Sequence, residues 1–191
     1  MTIHTHFFIA IPLPSKLQME LTEWKSSQMR QLPFKQWTHL EDYHITLSFL
    51  GEADSAALES LTYRLQEVAQ EFLSFDLTTE HLHTFGNDET PRILWLGVEQ
   101  EPLLNQLQSK VRQICDDSGF QTDNRLYTPH ITIAKKWQGE ETFPINEYEQ
   151  KQPIFPSSFS VEAFYLYRIH MDRQPKYEAV ESFSLRNNAA L

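Results

Sequence analysis

Two short segments of the chain carry the same order of residues, a histidine followed two positions later by a threonine. Residues 44–47 read His-Ile-Thr-Leu, and residues 130–133 read His-Ile-Thr-Ile. In an extended strand, side chains two positions apart point to the same face and lie about 6–7 Å apart along the backbone. Each segment therefore predicts a strand with an imidazole and a hydroxyl on one face. A single histidine on such a strand is more often structural, but a polar face that occurs twice favours a functional site.

The four polar side chains are suited to acid–base chemistry on a phosphate ester if the two strands meet across one cleft. Imidazole has a pKa near about 6.5, so one of His44 and His130 can accept a proton while the other donates one. Hydrolysis of a phosphodiester needs both steps, one at water and one at the leaving oxygen. The hydroxyls of Thr46 and Thr132 can donate hydrogen bonds to the non-bridging oxygens, where negative charge accumulates. This scheme requires no metal ion.

The rest of the sequence predicts the strands and helices that position these segments. Strands are expected at residues 6–12, 44–50, 74–79, 92–98, 130–134, 158–168 and 176–185. Gly51 is expected to close the second of these strands. Three helices are expected to begin after a cap at Ser15, after a cap at Asp54 or Ser55, and near Leu103. Strands and helices interleave, which predicts an α+β fold with antiparallel pairing.

The two histidine segments also indicate an internal duplication. Tyr43 precedes the first segment and Tyr127 precedes the second, and each half of the chain carries a helix beside its histidine strand. No linker rich in proline, glycine or serine separates the halves, and the composition does not change between them. We therefore expect residues 1–191 to form a single bilobal domain.

The composition restricts the partners and the location of the protein. The 191 residues carry a net charge of −10, whereas a protein that grips a long nucleic-acid backbone normally has an excess of Lys and Arg. Any nucleic-acid substrate is therefore expected to be recognised at its end. The early apolar run at residues 7–13 is far shorter than the roughly 20 residues of a membrane span. With no signal-peptide pattern and one cysteine, Cys115, expected to be a buried free thiol, we expect a cytoplasmic protein without membrane attachment.

At these residues the sequence resembles the two-histidine (2H) phosphoesterases, specifically the bacterial RNA 2′,3′-cyclic phosphodiesterases also called 2′-5′ RNA ligases. The resemblance extends over nearly the whole chain and includes residues 7–14, 37–51, 91–97, 127–134, 166–168 and 177–185. It implies two pseudo-symmetric lobes, each with an antiparallel sheet flanked by helices, around a central cleft. It also implies an enzyme that hydrolyses RNA 2′,3′-cyclic phosphate ends without a cofactor.

The resemblance further implies a role for each candidate site residue. His44 is expected to be the proton donor to the ribose 3′ oxygen, and His130 the proton acceptor that activates water, so that a 2′-phosphomonoester remains. Thr46 and Thr132 are expected to hold the phosphate. Lys135 stands where the family often has an arginine, and a lysine keeps the positive charge but loses the planar fork that contacts phosphate through two hydrogen bonds.

Four further histidines have alternative interpretations. His4 and His6 share one strand face, as do His81 and His83, and such a pair can suit a metal ion. No recognised zinc or two-metal spacing is present, so structural or exposed roles are favoured. His6 also stands where the family has an early arginine.

Several aromatic and basic residues are weaker candidates for substrate contacts. Candidates for stacking on bases are Trp37, Phe85, Trp95 and Trp137, although such residues more often belong to a core. Candidates for phosphate contacts are Arg92, Arg125 and Arg168, for which an exposed surface charge is the default interpretation.

Other functions stay open at this point. The same histidines would serve reversible 2′-5′ RNA ligation, or would open cyclic phosphates on nucleotides or ADP-ribose fragments. A non-catalytic RNA- or nucleotide-binding module would bind without turnover, and the negative net charge counts against it. Metal-dependent hydrolysis would be lost in EDTA. The expected partners are RNA ends or small cyclic-phosphate nucleotides, and the expected state is a monomer without metal or cofactor.

Overall fold

Nine strands and four α-helices are formed by residues 5–149 and 157–187, the part of the chain that this computed structural model describes. The strands are β1 His6–Pro12, β2 Phe34–Trp37, β3 His44–Glu52, β4 Phe75–Gly86, β5 Pro91–Val98, β6 His130–Trp137, β7 Ser158–Val161, β8 Ala163–Ile169 and β9 Tyr177–Ser184. The helices are α1 Ser15–Gln28, α2 Ser55–Ala69, α3 Pro102–Asp117 and α4 Ile145–Glu149, and a 3-10 turn spans Leu40–Asp42. Within the described residues, no helix is long and apolar enough to cross a membrane.

The strands pair in one antiparallel series with the two histidine strands at its centre. The order of neighbours is β7-β4-β5-β6-β3-β1-β8-β9, and β2 pairs with β6 outside this order. The strands β6 and β3 each carry one histidine segment, and three further strands follow on either side. The ladder between β3 and β6 consists of the single residue pair Ile45 and Ile131. The predicted α+β fold with two antiparallel halves is confirmed.

The aliphatic face of the two central strands forms part of the core. Ile45, Ile131 and Ile133 are completely buried, and Leu47 is nearly so. Burial of each such side chain favours folding by about 1.5–3 kcal/mol. The helix α3 packs against β3, α2 packs against α3 and β9, and α4 packs against β4. The aliphatic face is thus covered, and the face with the histidines and threonines is left for other contacts.

Cys115 of α3 is a buried free thiol, as predicted. Burial raises the pKa of this thiol to about 12. Because the thiolate is the nucleophilic form, a cysteine with such a pKa is chemically inert at neutral pH.

Several predicted boundaries are wrong because strand pairing extends beyond the local sequence pattern. The strand predicted at residues 74–79 continues to Gly86, since its second half pairs with β5, and the strand predicted at residues 130–134 continues to Trp137, which pairs with β2. Ser15 is the first residue of α1 rather than its cap, since Pro14 takes the cap position and makes no side-chain hydrogen bond. Gly51 does not close β3, because its positive φ of 71° accommodates a bulge and the strand continues to Glu52. At α2 the cap is Asp54, whose carboxylate accepts a hydrogen bond from the N–H of Ala57 at 2.8 Å.

The largest difference from the predicted elements lies in the C-terminal part. The strand predicted at residues 158–168 is divided at Glu162 into β7 and β8, which pair with β4 and β1 in opposite halves of the sheet. No glycine or proline marks this break, so local residue preferences do not reveal it. The short elements β2 and α4, of four and five residues, were also not predicted.

Candidate active site

The pairing of the two central strands brings the predicted polar side chains together. Ile45 of β3 lies opposite Ile131 of β6 in an antiparallel register. In this register the residue before one isoleucine lies opposite the residue after the other. His44 therefore lies beside Thr132, and Thr46 beside His130, on the face opposite the two buried isoleucines.

This polar face opens into a cleft of about 570 Å³. The five site residues predicted from the sequence all line it, namely His44, Thr46, His130, Thr132 and Lys135. A cleft of this volume falls within the range of about 300–1,000 Å³ that is usual for small-molecule sites. The structure thus brings the whole predicted set to one place.

The two imidazoles are held in the same tautomer by equivalent backbone contacts. Nδ1 of His44 lies 2.7 Å from the carbonyl oxygen of Asp42, and Nδ1 of His130 lies 2.8 Å from that of Thr128. A carbonyl oxygen only accepts hydrogen bonds, so each Nδ1 carries the proton and donates it. In both rings Nε2 is consequently the nitrogen left for chemistry in the cleft. Nε2 of the neutral His44 accepts a hydrogen bond from the hydroxyl of Thr46 at 3.1 Å.

Aromatic rings pack against each imidazole. The ring centroid of His44 lies 4.9 Å from that of Phe8 and 5.1 Å from that of Tyr177. On the other half, the ring of His130 meets two rings in edge-to-face contacts. The centroid of the His130 ring lies 5.1 Å from that of Phe85 and 5.7 Å from that of Trp95. The pseudo-symmetry therefore extends from the histidines to their surroundings.

These surroundings lower the pKa of both histidines. Burial is the largest cause and lowers the pKa of His44 to about 4, although the hydrogen bond to the Asp42 carbonyl acts in the opposite direction. Burial also lowers the pKa of His130, and the nearby ammonium of Lys135 lowers the pKa of both rings. Removal of an imidazolium from water disfavours its charge, and a like charge does the same. Both imidazoles are therefore neutral at pH 7 in the unliganded cleft.

The lowered pKa of His44 predicts a loss of stability in mild acid. Between pH of about 6.5 and about 4, the unfolded chain binds a proton at this histidine and the folded chain does not, so the free energy of unfolding decreases as the pH falls through this range. Urea unfolding at pH 7 and pH 4.5 checks this in wild type and in His44→Asn. The variant should lose less stability than the wild type, and an equal loss in both would contradict the prediction.

Lysine side chains give the cleft a positive character within an acidic protein. Lys35, Lys135 and Lys176 line it, although the net charge of the chain is −10. Burial lowers the pKa of Lys135, and repulsion from Lys176 adds to this effect. Cations collected in one concave site favour an anionic ligand.

Asp42 also lines the cleft, but its carboxylate is occupied by backbone groups. The carboxylate is buried and accepts hydrogen bonds from the N–H of Lys176 at 2.9 Å and from the N–H of Tyr177 at 3.1 Å. It thereby fixes the start of β9, and with it the ring that contacts His44. The backbone carbonyl of the same residue orients the imidazole. Asp42 thus supports the site through two independent contacts.

Two hydroxyl groups tie the central strands to their neighbours. The phenol of Tyr127 donates to the carbonyl of Thr46 at 3.1 Å, and the hydroxyl of Thr38 donates to the carbonyl of Thr132 at 2.9 Å. Sequence reasoning missed both of these contacts and the role of Asp42. The only available signal was that Tyr127 belongs to the repeated segment.

The weaker aromatic candidates have different positions. Trp37 lines the cleft, and Trp95 is buried behind His130. Trp137 instead packs against Phe34 and Phe143 at centroid distances of 5.1 and 5.2 Å, so it is a partly buried residue packed against the core.

The remaining basic candidates and the described histidine candidates His6, His81 and His83 do not line the main cleft. Arg168 forms an ion pair with Glu178 at 3.7 Å, and His6 stacks on Phe49 with centroids 6.3 Å apart. His4 lies outside the described residues. Among the described residues, no group of three or more potential ligands from His, Cys, Asp and Glu is arranged to hold a metal ion.

Comparison with known proteins identifies the family. The model of the 2′-5′ RNA ligase superfamily matches residues 13–173, and the chain belongs to this superfamily. The sequence-based assignment to this family of enzymes is confirmed.

Individual relatives agree with this assignment. An RNA 2′,3′-cyclic phosphodiesterase of Geobacillus stearothermophilus is 41% identical over 181 residues, which are 95% of this chain and 57% of that protein. The chain thus spans little more than half the length of that relative. An RNA 2′,3′-cyclic phosphodiesterase of Bacillus subtilis is 34% identical over 96% of this chain and 98% of its own length. Among solved structures, Escherichia coli LigT complexed with 3′-AMP has a TM-score of 0.79 and 26% identity, with 95% of this chain and 98% of that chain covered.

Proposed function

We propose that this chain hydrolyses RNA 2′,3′-cyclic phosphate ends to 2′-phosphomonoesters, acting as one bilobal catalytic domain without metal or cofactor. The observation that carries the proposal is the pair of imidazoles with the same tautomer, whose Nε2 atoms are left for chemistry in one cation-lined cleft. The names of the relatives, RNA 2′,3′-cyclic phosphodiesterase, support the same substrate. The complex of Escherichia coli LigT with 3′-AMP is consistent with a nucleotide in this cleft.

In the proposed reaction, the two histidines move protons at opposite sides of the phosphorus. Nε2 of His130 accepts a proton from water as its oxygen attacks phosphorus. The bond between phosphorus and the 3′ oxygen breaks, and His44 donates a proton to that oxygen, which leaves a 3′-hydroxyl and a 2′-phosphate. The reaction ends with His130 protonated and His44 neutral, and proton exchange with solvent restores the starting state.

The threonines and Lys135 are proposed to stabilise the charge of the transition state. The hydroxyls of Thr46 and Thr132 alternate with the imidazoles in the register of the two strands, so they are placed to donate to the non-bridging oxygens. The ammonium of Lys135 adds a positive charge at the same cleft. These groups act most strongly where water is excluded.

Binding of the substrate must also give His44 its proton. The pKa of His44 is about 4 in the unliganded cleft, so this histidine is neutral at pH 7. An anionic phosphate within a few ångströms stabilises the imidazolium and raises the pKa. The general acid is therefore proposed to be formed together with the enzyme–substrate complex.

A short RNA that ends in a 2′,3′-cyclic phosphate provides the test. Incubation in EDTA followed by product analysis is expected to yield a 2′-phosphate. A 3′-phosphate product would reverse the assignment of the leaving oxygen. Loss of activity in EDTA would contradict the metal-free scheme and favour metal-dependent hydrolysis.

Ligation through a 2′-5′ linkage is a second candidate because the matching family model carries that name. When an RNA 5′-hydroxyl replaces water as the nucleophile, His130 accepts its proton and His44 protonates the departing 3′ oxygen, so that a 2′-5′ phosphodiester forms. In the reverse cleavage of that linkage the two imidazoles exchange their roles. Incubation of a cyclic-phosphate RNA with a second RNA that bears a 5′-hydroxyl would reveal joined product. Hydrolysis of cyclic phosphates on small nucleotides or ADP-ribose fragments is an alternative activity of the same histidines. It is tested by comparing the rate on these compounds with the rate on an RNA that ends in a cyclic phosphate. The cytoplasmic location and the monomeric state stay predictions.

A further inference from the structure

A second cavity opens directly beside the proposed active site. Its volume is about 560 Å³, close to that of the first cleft. Four residues line both spaces, namely Thr46, Phe49, Ile93 and His130. Because two of these carry the proposed chemistry, a ligand that reaches from one space into the other passes next to the reacting phosphate.

Arginine side chains line the second cavity, whereas lysines line the first. Arg92 of β5, Arg112 of α3 and Arg125 of the loop before β6 contribute to its wall. Arg125 forms an ion pair with Asp123. Within residues 5–149 and 157–187, neither Arg92 nor Arg112 has a carboxylate within 4 Å. In a chain with a net charge of −10, two unpaired guanidinium groups beside one cavity indicate an anionic ligand.

The position of Arg112 follows from the packing of α3. Gln108, one turn earlier on the same helix, is buried and donates a hydrogen bond to the carbonyl of Leu47 at 3.2 Å. Residues four apart lie on the same face of a helix. The contact at Gln108 therefore orients this face of α3, with Arg112, toward β3. Both Gln108 and Arg112 line the second cavity.

Apolar side chains complete the wall of this cavity. The ring of Phe85 stacks on Trp95 with centroids 4.7 Å apart and meets the edge of His130. Phe49 is 50% exposed and Leu126 is 94% exposed. Exposed aromatic rings such as that of Phe49, beside arginines, are typical of sites that stack on bases and bind phosphates of single-stranded nucleic acid.

We propose that the second cavity binds the nucleotide that precedes the cyclic end, so that the preferred substrate is an oligonucleotide rather than a mononucleotide. This inference rests on the proposed function, which places the terminal cyclic phosphate in the first cleft. The guanidinium groups of Arg92 and Arg112 contact the adjoining phosphodiester, since the planar fork of arginine matches two phosphate oxygens. The neighbouring base packs on the apolar wall. Contact with only one or two nucleotides agrees with the acidic net charge, which opposes binding of a long backbone.

The test compares kcat/KM for two substrates in wild type, in variants of the two unpaired arginines and in a control variant. The substrates are cytidine 2′,3′-cyclic phosphate and a tetranucleotide that ends in a 2′,3′-cyclic phosphate. In wild type, kcat/KM should be higher for the tetranucleotide. Arg92→Ala and Arg112→Ala should each reduce this preference by about tenfold, because a hydrogen-bonded contact between charged groups is lost. Each should also make the salt dependence of tetranucleotide binding less steep, by a slope of about 0.7.

Arg30→Ala is the matched control, because Arg30 is exposed, lies outside both cavities and carries the same charge. It should leave the preference and the salt dependence unchanged. An equal loss on both substrates in the cavity variants, or no loss on either, would overturn the inference.

A binding measurement separates failure of this inference from failure of the proposed function. If wild type turns over neither substrate, the proposed hydrolysis is wrong. Fluorescence anisotropy of a labelled tetranucleotide with a 2′-phosphate end then decides on the cavity. Weaker binding by Arg112→Ala than by Arg30→Ala supports the second cavity as a nucleotide site, and equal binding overturns it.

Discussion

Replacement of His44 or His130 by alanine is expected to lower kcat on a cyclic-phosphate RNA by a factor of about 10²–10⁴, the range usual for loss of a general acid or base. Each imidazole has Nε2 as the nitrogen left for proton transfer in the cleft, and alanine offers no group that moves a proton there. Because the two histidines act as a unit, the double variant should be little worse than either single variant. Single-turnover kinetics with a labelled RNA, together with thermal melts, measure the effect and confirm that the fold is retained.

A sulfur substitution separates the roles of the two histidines. When the bridging 3′ oxygen is replaced by sulfur, the leaving group is a thiolate, whose conjugate acid has a pKa near about 8.5 and which leaves without protonation. Such a substrate should restore much of the activity of His44→Ala and little of that of His130→Ala. The opposite pattern would exchange the donor and the acceptor.

His170→Ala is the control for these variants. His170 pairs with Glu178 at 2.6 Å on the β8–β9 side and does not line the cleft. Its replacement should leave kcat within about twofold of wild type, as surface changes usually do. Full activity in both His44→Ala and His130→Ala would rule out the acid–base scheme.

Replacement of Asp42 by alanine is expected to lower the free energy of unfolding by about 2 kcal/mol or more. The change leaves the N–H groups of Lys176 and Tyr177 without their acceptor, and an unsatisfied buried donor costs about 1–3 kcal/mol. It should also lower kcat/KM, because the start of β9 holds the ring that contacts His44. Urea unfolding and steady-state kinetics measure the two effects.

Asp42→Asn is the matched variant, since its side-chain carbonyl still accepts hydrogen bonds from the same backbone groups. We expect it to retain more stability and activity than Asp42→Ala. Both variants keep the backbone carbonyl that accepts from Nδ1 of His44. If the alanine variant were as stable and active as the asparagine variant, the carboxylate contacts would have no role in the site.

The elements that could be predicted are those whose pattern is local. The strand His6–Pro12 has the predicted bounds, and the alternation of residues 44–47 and 130–133 correctly separates buried from cleft-facing side chains. The alternation fails beyond residue 47, where Ser48 is buried and Phe49 is 50% exposed, because the register with β1 shifts there. The three longer helices also begin close to their expected starts. In each case one element buries one face, so the period of the sequence reports the structure directly.

Elements that depend on distant partners could not be predicted in this way. The break at Glu162 exists because β7 and β8 pair with strands in different halves, and no turn residue marks it. The bulge that carries β3 past Gly51 depends on the register with β1. Strand pairing of this kind is decided by contacts between residues far apart in sequence.

The candidate site likewise combines residues that the local sequence predicts with contacts that depend on distant partners. The repeated histidine and threonine pattern identified His44, Thr46, His130 and Thr132, because chemistry and strand period coincide there. The contacts made by Asp42 and Tyr127 join residues 134 and 81 positions apart, respectively. Nothing in the local sequence of either residue indicates its partner.

The two histidines, their threonines and the strands that carry them were thus determined by the sequence alone, since a period of two residues decides which side chains share a face. The pairing of Ile45 with Ile131 was decided only by the tertiary structure, and it is this pairing that brings the two polar faces into one cleft. The same holds for the pKa of His44, which is lowered because rings from distant strands exclude water from the imidazole. Burial arises from packing between distant segments, so the protonation state of the site is a property of the fold.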